Sequence, residues 1–133
     1  MSAERATYLD SSAIVKLVIA EPESAALRRY LGRRRTLVSS TLARAEVDRA
    51  LLPLGDAAVR RGQEVLARLE LIRISDRILA LAGSLLPAEL RTLDAVHLAT
   101  AQQLGSDLAR IVTYDERMRT AATSIGCRLA TPR

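Results

Sequence analysis

From Thr7 to Ala130, short apolar runs alternate with longer segments of helical periodicity, and this alternation admits few architectures. Thr7-Tyr8-Leu9 reads as a strand ending at Asp10. Ser11 and Ser12 can cap a helix running through Ile14 to Ile19. Pro22 suits the first turn of a second helix, and Gly32 suits its stop. Thr36 to Ser39 reads as a second strand, followed by a helix that Ser40 or Thr41 caps and a Leu-Pro-Leu-Gly break around Pro53 ends. Asp56 opens a helix to about Leu69, and Leu71 to Ile74 reads as a third strand. A helix from Ser75 to about Leu86, a loop at Pro87, and a helix from Leu93 to Leu104, capped by Thr92 and stopped at Gly105, follow. The pattern closes with a strand Arg110 to Thr113, a helix Asp115 to Ala122 and a strand Cys127 to Ala130. Strands separated by helices need right-handed crossovers, which wrap helices around a parallel sheet. The expected fold is therefore α/β in three layers, a mainly parallel sheet of four to five strands flanked by helices, as a single domain over residues 1–133.

Four acids punctuate this pattern. Asp10, Glu46, Asp94 and Asp115 each stand where a strand gives way to a helix, or within the first turns of a helix. Ligand sites in open parallel sheets form beyond the carboxyl ends of the strands, so Asp10 and Asp115 belong on that edge. Glu46 lies four residues from Leu42 and Ala50 and three from Ala43, and Asp94 stacks with Leu98 and Ala101, so both share a helix face with apolar side chains. Taken singly, each acid has a plainer explanation. Asp10 and Asp115 suit helix N-caps, Asp94 answers a helix dipole, and Glu46 can pair with Arg49. Four at once favour a shared site. Carboxylates on a core-facing surface need positive charge between them, and with one His and one Lys in the chain a divalent metal is the economical partner.

Composition narrows the function classes. The chain is 49% hydrophobic and 26% charged, which is globular, and no apolar run approaches the roughly 18 residues that span a bilayer. The polar start, Met1 to Arg5, does not read as a signal peptide, so a cytoplasmic protein without membrane contact is expected. Cys127 is the sole cysteine, which leaves no intrachain disulfide or Cys-rich zinc site and suits a small core residue. A net charge of +5 favours polyanionic partners, while three tyrosines and no other aromatic residue besides His97 give little base-stacking surface.

The motifs around the acids resemble those of the PIN-domain ribonucleases, and within them the VapC toxins of bacterial toxin–antitoxin pairs. Y-L-D-S-S-A-I-V-K-L at Tyr8 to Leu17 is similar to the family's opening strand, acid, small hydroxyl and helix. A-E-V at Ala45 to Val47 resembles its second acidic segment, L-D-A-V-H-L-A-T-A at Leu93 to Ala101 is the most specific match, and V-T-Y-D at Val112 to Asp115 resembles the fourth. The likeness runs from Thr7 to about Pro132, with Ser11-Ser12 where many members have Thr then Ser. The resemblance implies a PIN-like fold and an endoribonuclease acting as the toxin of a pair. It also implies Mg²⁺ (Mn²⁺ as an alternative) held by Asp10, Glu46, Asp94 and Asp115, with Ser12 and Thr113 as supporting polar groups. RNA as substrate, a cognate antitoxin with a basic tail and a homodimer follow from the same resemblance. The chemistry agrees: Mg²⁺ takes hard oxygen ligands, and water of lowered pKa attacking in line would leave a 5′-phosphate and a 3′-hydroxyl.

Other readings stay in competition. A PIN-type RNA-processing nuclease outside any toxin pair would carry the same acids, and a non-catalytic module would use an acidic pocket to receive basic partner residues. An aspartyl-phosphate mechanism at Asp10 lacks the second acid, since Ser12 occupies that position, and lacks a late-strand Lys, since Lys16 is the only one. His97 lies three residues after Asp94, within reach to orient it or to pack against a strand; as the only His it excludes a two-histidine ribonuclease mechanism. Arg33, Arg34 and Arg35 form the densest basic run, either a solvated loop or a phosphate-contacting rim for RNA.

Overall fold

The computed structural model describes residues 5–133. Five strands, β1 (Ala6–Leu9), β2 (Leu37–Ser40), β3 (Glu70–Ile72), β4 (Leu108–Val112) and β5 (Leu129–Ala130), form one sheet in the order β3-β2-β1-β4-β5. Every pairing is parallel. Seven α-helices join them: α1 (Ser11–Val18), α2 (Ser24–Leu31), α3 (Leu42–Leu51), α4 (Asp56–Leu66), α5 (Asp76–Ser84), α6 (Thr92–Gln102) and α7 (Glu116–Ser124). Strand alternation divides the core in two. Leu9 and Val112 face one layer with Ile14, Leu27, Ala43, Val47 and Leu51. Tyr8, Val38 and Ile111 face the other with Leu98, Met118 and Ala122. The expected three-layer parallel architecture is the one observed.

Local chemistry shifted several boundaries. Pro22 precedes α2 and does not enter it: Ser24 Oγ accepts from the Glu21 amide and donates to the Ile19 carbonyl, closing the turn ahead of the helix. Thr92 is the first residue of α6, and the cap position falls to Arg91, which makes no side-chain cap bond. Helices α4, α5 and α6 end earlier than their apolar periodicity suggests, at Leu66, Ser84 and Gln102. Short turns there carry the remaining leucines. Ser75 caps α5 as expected, accepting from the Ile78 amide at 3.1 Å. Cys127 is a free thiol, partly buried against the second core layer.

The close approach of α3 and α4 depends on Gly62. A Cβ there would stand 2.4 Å from Leu51 Cδ1 and 3.2 Å from Val47 Cγ1, both in the core. Gly83 in α5 has open space around the same position. Gly62→Val is therefore expected to destabilise by about 1–3 kcal/mol through overpacking, while Gly83→Ala stabilises by about 0.5–1 kcal/mol. Urea unfolding of the two variants checks both signs.

Candidate active site

All strands point the same way, so their carboxyl ends define one edge, and the acids gather there. Asp10 follows β1, Asp115 follows β4, Glu46 lies one turn inside α3 after β2, and Asp94 occupies the first turn of α6. They line a cleft of about 480 Å³ with Ser11, Ser12, Lys16, His97 and Tyr114. Two layers of helices thus contribute, α1 and α3 from one side of the sheet and α6 from the other.

Asp10 is the anchor of the group and is almost wholly buried. Its Oδ1 accepts from Ser12 Oγ at 2.6 Å and from the Ala13 amide at 3.0 Å, and its Oδ2 accepts from Thr113 Oγ1 at 2.5 Å. Ser12 Oγ in turn accepts from the Tyr114 amide, and Thr113 Oγ1 from the Asp115 amide. Burial pushes the Asp10 carboxyl above its usual range despite these three donors. Asp10 is an N-cap as well as a site residue, and so is Asp115, whose Oδ1 accepts from the Arg117 and Met118 amides. The capping explanation and the shared-site explanation hold together.

Glu46 is held differently. Ser11 Oγ donates to its Oε1 at 2.6 Å, and His97 Nε2 lies 2.5 Å from the same oxygen. Burial alone would raise this carboxyl; the hydrogen bonds from His97 and Ser11 and the nearby imidazole charge outweigh it and leave Glu46 below the usual range. His97 therefore partners Glu46, not Asp94 as the three-residue spacing suggested. Its side chain points off the far flank of α6 and crosses to the other helical layer. Its Nδ1 lies 2.7 Å from the Tyr8 hydroxyl, a contact that sequence reading missed. Tyr8 looks like an ordinary strand aromatic, and only the pairing of β1 with α6 reveals the contact. Ser11 was read as a cap alone. The Leu42–Ala50 flank that Glu46 shares also proves less buried than its apolar residues implied, for Ala50 is exposed and lines the cleft.

Asp94 is half-buried, and burial, followed by the charges of Asp115, Asp10 and Glu46, raises its carboxyl. Asp94 thus feels the charge of the other three acids. Lys16 does not relieve it, because its ammonium is engaged by Glu23 at 3.0 Å and Glu21 at 3.6 Å. Among the described residues, no three acidic, histidine or cysteine side chains already converge into a closed metal cage. The donor set, four carboxylates in an open cleft, suits a hard divalent ion that keeps several waters.

Arg33 to Arg35 are not brought to this site. They precede β2 at the amino edge of the sheet, about 13 Å of strand away from the carboxyl edge. Arg34 stacks on the Tyr30 ring at 3.5 Å and donates to the Tyr30 carbonyl. Arg91 and Arg117, three residues before Asp94 and two after Asp115, line a separate cavity of about 600 Å³ with Pro87, Leu90, Glu116 and Ala121.

Comparison with known proteins agrees with the fold. The PIN domain family matches residues 7–123, and the chain belongs to that family, within its VapC group. It is similar to Ribonuclease VapC46 of Mycobacterium tuberculosis, 62% identical over 127 residues that cover 96% of this chain and 98% of the relative. Among solved structures it superposes on M. tuberculosis VapC20, a sarcin–ricin loop cleaving toxin, with a TM-score of 0.76 at 12% identity, covering 95% and 99% of the two chains. A toxin–antitoxin complex from Klebsiella pneumoniae gives a TM-score of 0.72 at 19% identity over 96% and 98%.

The raised Asp94 carboxyl has a measurable consequence. An acid with a higher pKa folded than unfolded binds its proton more tightly in the native state, so its contribution to stability falls as pH rises through that interval. Metal-free Asp94→Asn should therefore melt at or above the wild type at pH 7, and the gap should close as pH falls toward the ordinary Asp range. Thermal melts in chelator across pH 4–7 check this; a variant less stable than wild type at pH 7 would remove the repulsion argument.

Proposed function

We propose that this protein is a divalent-metal-dependent endoribonuclease, the toxin of a toxin–antitoxin pair, that hydrolyses RNA phosphodiester bonds. The observation carrying the reading is the collection of Asp10, Glu46, Asp94 and Asp115 in one cleft, with Asp94 raised by burial and then by the charges of the other three. Mg²⁺, or Mn²⁺ in its place, would be held by these four carboxylates. Such an ion supplies a water of lowered pKa as nucleophile and neutralises charge on the phosphate and leaving oxygen. The chain's own residues prepare the site. Ser12 and Thr113 fix both oxygens of Asp10, Ser11 and His97 fix Glu46, and the N-cap bonds fix Asp115. Asp10, Glu46 and Asp115 are thus oriented before the ion arrives, which lowers the ordering cost of binding it.

Vap relatives and the Klebsiella complex support a cognate antitoxin as partner, and the negative cleft suits a basic segment of it. No helix among the described residues is long and apolar enough to cross a membrane, and the reading places the protein in the cytoplasm. A homodimer belongs to the same proposal: Leu79, Leu86 and Leu93 are exposed, apolar surface of the kind that a second copy covers.

Asp10→Asn separates charge from structure because Asn still caps a helix, and Asp94→Asn does so because it removes the charge from the first turn of α6 at nearly constant size. Each is expected to lower RNA cleavage by more than about 100-fold, beyond what loss of an outer partner costs, with the cooperative melt retained. Cleavage by the wild type should vanish in EDTA and return with Mg²⁺ or Mn²⁺. Persistent cleavage in EDTA would dismiss the metal reading, and wild-type rates in both Asn variants would dismiss the shared site.

The basic rim follows from the same geometry. Arg91 precedes α6, which carries Asp94, and Arg117 lies in the first turn of α7 after Asp115, and neither makes an ion pair among the described residues. Each phosphate contact removed lowers the log–log salt slope of RNA binding by about 1. Arg91→Gln with Arg117→Gln should therefore flatten the slope, while the triple Gln variant of Arg33 to Arg35 leaves it unchanged. Cleavage of a short RNA across a salt series distinguishes the two sets.

A further inference from the structure

We infer that Tyr8 is a positioning residue for the acidic cleft: its hydroxyl fixes the tautomer and orientation of His97, which in turn aims Glu46. The inference rests on the proposed metal site only in its second arm; the first concerns the hydrogen-bond chain itself.

The chain of contacts runs through three elements. Tyr8 of β1 is 1% exposed and meets His97 of α6 edge-on, ring centroids 5.9 Å apart at 75°. Its hydroxyl lies 2.7 Å from Nδ1, and Nε2 lies 2.5 Å from Glu46 Oε1 on α3. The hydrogens can be assigned from both ends. An ionised carboxylate only accepts, so Nε2 must carry the hydrogen that bonds Glu46. In a neutral ring Nδ1 is then a lone pair, buried, and needs a donor. Burial raises the Tyr8 phenol far above its ordinary value, so it is protonated and able to donate. The neighbouring hydroxyls of Ser39 and Thr100 donate to the Leu9 and Val96 carbonyls, and the Tyr8 hydroxyl is the group in contact with Nδ1, so it supplies the donor. The chain reads Tyr8 O–H to Nδ1, then Nε2–H to Glu46 Oε1, with Ser11 O–H reaching the same oxygen.

A structural account of Tyr8 as core filling does not require the hydroxyl. Phe would occupy the same space without burying a polar group. Glu46 is half-exposed with several side-chain torsions, and an imidazole of fixed tautomer, tied at its rear to a strand, holds it in one direction.

His97 is the only histidine, so its ring nitrogens can be observed without assignment. The experiment is a long-range ¹H–¹⁵N spectrum of the tag-free, metal-free full chain at a pH where the ring is neutral, with Mn²⁺ binding followed by electron paramagnetic resonance. The wild type should show the Nε2–H tautomer alone. Tyr8→Phe should lose that preference and weaken Mn²⁺ binding about 10–100-fold, while its melt remains cooperative. A wild-type ring in the Nδ1–H form, or Tyr8→Phe with unchanged tautomer and unchanged Mn²⁺ affinity, overturns the inference. If Tyr8→Phe does not fold, replacement of tyrosine by 3-fluorotyrosine decides: a more acidic phenol moves the Nδ1 resonance if the bond exists and leaves it if not. Asp94→Asn is the separating control, expected to lose Mn²⁺ binding with the His97 tautomer intact. A wild type that binds no Mn²⁺ would sink the metal reading, and the tautomer measurement would still decide the role of Tyr8.

Discussion

Gathering four carboxylates at one sheet edge, where three of them act on Asp94, is the constraint around which this cleft is arranged. A parallel sheet brings strand ends to one edge, and Asp10 and Asp115 arrive there because each also caps the helix that follows its strand. Capping gives these two acids a favourable local reason to sit where their charges oppose one another. Glu46 and Asp94 have no such anchor of their own within a helix. Glu46 acquires one from Ser11 and His97, whereas Asp94 has none and is raised by burial and by the charges around it. Stability has been given up at this edge, the usual signature of a site whose missing counter-charge arrives with a ligand.

The two helical layers meet at the same place. On either face of the sheet the core is apolar and continuous with its own strands, and the layers do not touch through the sheet. Beyond the carboxyl edge, where no strand intervenes, His97 of α6 reaches Glu46 of α3. That bond couples helices from opposite faces, so the geometry of the cleft depends on the packing of both. Asp10 and Asp115 are tied to each other more directly, because Ser12 and Thr113 bind Asp10 while accepting from the main chain of the 114–115 segment.

Much of this was legible in the sequence, and the failures have physical causes. Alternating patterns gave the strand count and parallel arrangement, since each crossover needs a helix of the kind that Ile14 or Val47 anchors. The four acids were legible because carboxylates beside Ala43 and Leu98 are costly without a partner. Helix ends were read less well: Leu69, Leu86 and Leu104 continue the apolar period past the last helical turn, yet Leu69 and Leu104 serve in turns packed on the core and Leu86 is exposed. The Tyr8–His97–Glu46 chain was invisible because its members lie 89 and 51 residues apart. No spacing rule joins a strand aromatic to a mid-helix imidazole in another layer. The position of Arg33 to Arg35 at the amino edge was not legible, because charge density along a sequence says nothing about which edge of a sheet it occupies.

Lys16 lends the cleft one further property. It is the sole lysine, it sits at the mouth beside the acids, and its ammonium lies 4.9 Å from the Tyr114 ring centroid while paired with Glu21 and Glu23. Side-chain amine chemistry in this protein is consequently confined to a single address. A crosslinker or an acylating reagent that consumes a lysine reports on the entrance to the cleft and nowhere else. Removing that one positive charge would release two more carboxylates beside four that already repel.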